Sequence, residues 1–147
     1  MNKEVRIKIK TIQSADDEEE GEVTEIFTFG RLSKLKEQPG YHLDYEESEV
    51  TGYDGCKVAL DITDNYVKLS RTGKVNSTMF IEKGKKHHGH YGTPFGDLMV
   101  GVNTDELKNG LTDNGGDLYM KYTIDVNSDF LSENELFLNV EECNDRA

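Results

Sequence analysis

Two charged residues fall on strand faces that are otherwise apolar. From Tyr41 to Ser48 the side chains alternate, so Tyr41, Leu43, Tyr45 and Glu47 share one face. From Tyr66 to Arg71 the same alternation puts Val67, Leu69 and Arg71 together. If both faces line an interior, Glu47 and Arg71 are inward charges. A buried charge without a partner is costly, so each then needs one: the other, or a polar group of a bound molecule. With Tyr41, Tyr45 and Met79 they make up a candidate ligand-binding set. The alternative places both charges at a rim, where water solvates them.

The histidines are the second chemical candidate. His87-His88-Gly89-His90 sets His88 and His90 two apart on one side of a strand, a spacing that suits a shared metal. No third ligand is identifiable, and His42 can supply one only if its strand is adjacent. A solvated cluster is the plainer reading. Asp125-Val126-Asn127-Ser128-Asp129 imitates the start of a calcium loop, but the sixth position is Phe130 and the twelfth Leu136, where glycine and glutamate belong. Glu46 and Glu47 point to opposite strand faces and cannot flank one bond as an acid–base pair. Nucleophile elbow, phosphate loop, dinucleotide fingerprint and zinc-protease motif are all missing. The sequence calls for no cofactor.

These side chains must be held by strands. Val5, Ile7 and Ile9 alternate with Arg6, Lys8 and Lys10. Val23 to Leu32 follows, with Val23, Glu25, Phe27 and Phe29 on one side; Phe27 and Phe29 are read as interior. Cys56, Val58, Leu60 and Ile62 alternate with Lys57, Ala59 and Asp61. Asp64-Asn65 is a two-residue connection whose residues tolerate positive φ, as a tight hairpin requires. Further strands run over Lys74–Glu82, His88–Thr93 and Phe95–Asn103, and Asp105–Leu111 is expected to form one or two helical turns. Asn114-Gly115 is the best hairpin turn. Leu118, Met120, Tyr122, Ile124 and Val126 form the cleanest apolar stripe, Ser128 to Glu133 turns, and Leu136, Leu138 and Val140 close the series. About nine or ten strands at short spacing indicate an all-β fold. The meander of hairpins favours a single small antiparallel up-and-down barrel over a sandwich, because closure leaves fewer open edges.

The 147 residues fit one domain, 1–147, with an acidic loop at about 14–21 and a short charged C-terminal tail. Asp16 to Glu20 are five consecutive carboxylates, so repulsion keeps that loop exposed. A net charge of −12 repels phosphate backbones and anionic lipid headgroups, which argues against nucleic acid and membrane surfaces as partners. No apolar run approaches a membrane span, and charges precede every apolar stretch near Met1, so a cytoplasmic protein is expected. Cys56 and Cys143 then read as free thiols.

Tyr45-Glu46-Glu47, Arg71-Thr72-Gly73, Met79-Phe80, Tyr91-Gly92-Thr93-Pro94-Phe95-Gly96 and the stripe around Tyr122 occur in an order that resembles the YwiB-like family of small bacterial proteins. The resemblance runs from Val5 to about Glu142. It implies a calycin-type barrel, similar in shape to lipocalins, and it implies no activity and no site residues. Together these readings favour a non-enzymatic barrel, monomeric or homodimeric, that binds a small, partly apolar molecule. The alternative is a filled barrel that meets an unknown protein partner through a strand edge or its acidic surface.

Overall fold

A computed structural model describes residues 2–15, 21–47, 55–93 and 96–143. Ten antiparallel strands close into one barrel. They are β1 (Asn2–Ala15), β2 (Glu22–Lys34), β3 (Tyr41–Glu46), β4 (Lys57–Ile62), β5 (Tyr66–Thr72), β6 (Asn76–Glu82), β7 (Lys86–Thr93), β8 (Gly96–Asn109), β9 (Gly115–Val126) and β10 (Asp129–Glu142). Each strand pairs with its neighbours in sequence, and β1 also pairs with β10 from Val5↔Glu142 to Ala15↔Ser132. The acidic run Asp16–Glu20, Ser48 at the end of the Tyr41–Ser48 alternation, and the end of the charged tail lie outside the described residues.

Period-two patterning dictates this arrangement. Residues directly opposite one another in antiparallel strands share a face, so one inward residue fixes the phase around the ring. Ile7 faces Val140 on β10, Leu43 faces Leu60 on β4, and Val67 faces Ile81 on β6. Val5, Ile7, Leu32, Leu43, Leu60, Ile62, Val67, Ile81, Leu118, Met120 and Val140 form the dry part of the interior. Their neighbours along each strand, such as Arg6, Lys8 and Lys68, face solvent.

Strand β2 corrects the sequence reading. Its inward positions are Ile26, Thr28 and Gly30, opposite Ile9, Ile7 and Val5. Phe27 and Phe29 therefore stand on the outer face, 74% and 61% exposed, with the Lys8 ammonium 5.6 Å from the Phe27 ring. Gly30 is small because β3 crosses closely: a Cβ there would fall 2.2 Å from the Asp44 carbonyl oxygen.

Asp105–Leu111 contains no helical turns. Strand β8 runs through to Asn109, and its pairing with β9 shifts register between Thr104 and Glu106. The bulge at Asp105 leaves both Thr104 and Leu107 inward, which breaks the strict alternation, and the four-residue spacing of Leu107 and Leu111 that suggests helical turns fits an extended chain equally well. Two turns also differ from expectation. Asp64 and Asn65 have no positive φ; the Thr63 hydroxyl accepts the Asn65 and Tyr66 amides at 3.2 and 3.0 Å and holds the turn instead. Positive φ occurs at Asn127 (52°) and Ser128 (73°), the two-residue turn between β9 and β10. Strand β10 accordingly starts at Asp129, inside the stretch expected to be a turn.

Candidate functional site

The barrel interior divides along its axis. At the end where β3 begins, the lining is aliphatic: Ile62, Leu32, Val5 and Leu118. Toward the end where β3 finishes, inward positions turn polar, with Glu47, Arg71, Ser77, Thr104, Tyr122, Ser132 and Asn134. The register explains their convergence: Tyr45 lies opposite Val58, Val58 opposite Arg71, and Arg71 opposite Ser77. On the far side Tyr122 is flanked by Thr104 and Asn134.

Glu47 and Arg71 meet. Arg71 Nη2 donates to Glu47 Oε1 at 3.1 Å, with the two side chains 19% and 2% exposed. The Glu47 amide donates to the Cys56 carbonyl at 2.8 Å, which anchors the backbone just past β3. Among the described residues, Glu47 Oε2 and Thr104 Oγ1 are buried and have no hydrogen-bond partner. Burial pushes the Tyr45 phenol well above its ordinary range, Glu47 adds to the rise, and Arg71 opposes it. Burial likewise pushes Tyr122 up to about 12 against the pull of Arg71. Both phenols therefore stay protonated and neutral beside the ion pair.

The other candidate residues lie apart. Tyr41 shares the inward face of β3, but at its opposite end, where its hydroxyl donates to Asp113 Oδ1 at 2.5 Å in the β8–β9 loop. That hydrogen bond, with burial, pushes the phenol up to about 12, and it helps hold the Asp113 carboxyl below the ordinary range. Tyr41 closes the aliphatic end and does not touch the Glu47–Arg71 pair. Met79 is half-buried opposite Leu69, one inward step from Ser77, and belongs to the polar end's apolar wall. His88 and His90 are exposed, and His90 Nε2 lies 3.7 Å from Asp97 Oδ1. His42 sits on a different wall, with Nδ1 2.6 Å from Asp61 Oδ1 and Nε2 3.4 Å from Asp44 Oδ2. Among the described residues no three His, Cys, Asp or Glu side chains converge as metal ligands. Cys56 and Cys143 are free thiols. No helix among the described residues is long and apolar enough to cross a membrane.

A concavity of about 780 Å³ lies on the outer face of β2–β5 between Phe29, Arg31, His42, Asp44, Lys57 and Ser70. It is open and lined by charges of both signs. The interior polar end, by contrast, holds buried polar atoms without a hydrogen-bond partner among the described residues, Glu47 Oε2 and Thr104 Oγ1 among them, and is the stronger candidate.

Sequence reasoning found Glu47 and Arg71 because charges on an apolar phase stand out. It missed Ser77, Thr104, Ser132 and Asn134, which carry no charge. The signal was present for two of them: Thr104 continues the phase of Val100 and Val102, and Asn134 that of Leu136 and Leu138.

Comparison with known proteins agrees with this fold. The family described as Domain of unknown function (DUF1934) matches residues 7–138. The solved structure of ywiB protein from Bacillus subtilis is similar at a TM-score of 0.82 and 19% identity, covering 97% of this chain and 94% of that one. No curated protein matches the chain.

Proposed function

The chain belongs to the DUF1934 family, a YwiB-like group whose description assigns no activity, and from that premise we propose a non-enzymatic barrel that holds a small, partly apolar molecule inside. The observation that carries the reading is Glu47 Oε2, a carboxylate oxygen buried without a hydrogen-bond donor among the described residues, beside the Oε1 contact to Arg71. A pair kept only for structure gains most from using both oxygens, and a buried polar atom left unmade costs about 1–3 kcal/mol, more when charged. A molecule that hydrogen-bonds there while its apolar part meets Met79, Leu69 and Val58 recovers that cost. On this reading the barrel works in the manner of calycin carriers, in the cytoplasm, with no cofactor.

Native mass spectrometry of the protein, gently purified from its own host, tests this. The expected result is an adduct that disappears on denaturation and is lost in Arg71→Met. A bare mass, with no interior binding of a polarity-sensitive fluorophore, would remove the proposal. The second reading, a protein-interaction module, draws on the exposed Phe27 and Phe29 rings and would then stand in its place.

A further inference from the structure

Resting on that reading, we infer that the interior selects an uncharged head group, an alcohol or amide whose O–H or N–H donates to Glu47 Oε2, and rejects a carboxylate. An arginine inside an apolar barrel is a natural receptor for an acid. Here the charge of Arg71 is already neutralised by the protein, because Glu47 Oε1 lies 3.1 Å from Arg71 Nη2. The pair is neutral as a whole, so a ligand carboxylate adds a net buried negative charge and displaces or crowds Glu47. A buried ion without its own partner is strongly disfavoured.

The pair presents a carboxylate acceptor. Glu47 Oε2 has two lone-pair sites and no donor among the described residues. Across the interior, Thr104 Oγ1 is also buried and unsatisfied, and it sits opposite Tyr122 in the β8–β9 register. Tyr122 is near enough to Arg71 to feel its charge, and Tyr45 feels Glu47, Arg71 and Tyr122 together. The cluster thus offers one carboxylate acceptor and a ring of neutral hydroxyls around a compensated charge pair. A hydroxyl or amide completes this set without adding charge. An ammonium satisfies the same oxygen but leaves the closed interior with a net positive charge, so it ranks below the neutral donors.

Head groups on matched tails test the inference. Decanol, decanamide, decylammonium and decanoate, with the phenylbutyl compounds of the same four heads, are titrated into the protein by calorimetry. The neutral heads are expected to bind about tenfold to a hundredfold more tightly than the carboxylates, the span one hydrogen bond to a charged group carries. Glu47→Gln, which frees Arg71 from its built-in acid, is expected to reverse that order. Wild-type protein alone decides the matter if the variant does not fold. Decanoate binding as tightly as decanol, or decylammonium binding more tightly, overturns the head-group inference and leaves the carrier reading intact. Failure of every head to bind, together with a bare native mass, takes down both.

Discussion

Tyr41 and Tyr122 hold their phenolic protons for different reasons, and the difference is measurable. Tyr41 is held by its hydrogen bond to Asp113, whereas Tyr122 is held by burial. Tyr119 joins them through burial and its bond to Glu135, at about 12, and Tyr45 is pushed higher. A phenol whose folded pKa exceeds its unfolded value near 10 stabilises the fold fully below about pH 10. That contribution is lost as pH rises toward about 12. Spectrophotometric titration should therefore show these four of the seven tyrosines ionising late, with alkaline unfolding. Tyr41→Phe should remove one late tyrosine and release Asp113. The Asp113 contribution runs the other way: present above the ordinary aspartate pKa, it is lost as pH falls through the lowered folded value. Early titration of these four would contradict the placement of their hydroxyls.

At the scale of elements, the turns and bulges carry the strain. Ser128 adopts a φ of 73°, where a side chain other than glycine or asparagine is disfavoured by about 1–2 kcal/mol. Ser128→Gly should consequently stabilise the protein by up to about 1 kcal/mol, read as a higher melting temperature. A lower one would mean the β9–β10 hairpin is not a two-residue turn. Strand existence was legible over most of the chain, because alternation such as Val58-Ala59-Leu60-Asp61-Ile62 leaves little choice; the end of β8 and the start of β10 were the exceptions. Phase was legible only where one face was clearly apolar. In β2 both faces carry apolar residues, and the inward one is built from Ile26, Thr28 and Gly30, so the larger phenylalanines drew the assignment outward-in. The Asp105 bulge was hidden for a related reason: Leu107 and Leu111, four apart, suit a helix and a strand alike, and the inserted residue breaks the alternation that would have decided between them. The site was half legible. Two charges on apolar phases announced themselves, while the neutral polar residues around them drew no notice, although Thr104 and Asn134 continue apolar phases.

For the molecule as a whole, the exposed rings make the test of orientation. Phe27→Ser and Phe29→Ser together should change unfolding free energy in urea by no more than about 0.5 kcal/mol each, as surface substitutions do. Leu43→Ala, on the buried face of the neighbouring strand, should cost about 2–5 kcal/mol. Comparable losses at both places would place β2 in the opposite phase.

The pairing of β1 with β10 also sets an order of events. Val5 meets Glu142, and the Cys143 amide donates to the Glu4 carbonyl, across nearly the whole chain. During synthesis β1 therefore has its β2 partner early and waits for its second partner until the last strand leaves the ribosome. Until then the sheet is an open ribbon with an unpaired edge and an uncovered apolar face. Closing so distant a contact is slow, and an open ribbon of this kind is where chains cross-pair. The chain's net charge of −12 opposes the approach of a second copy for the interval before the barrel shuts.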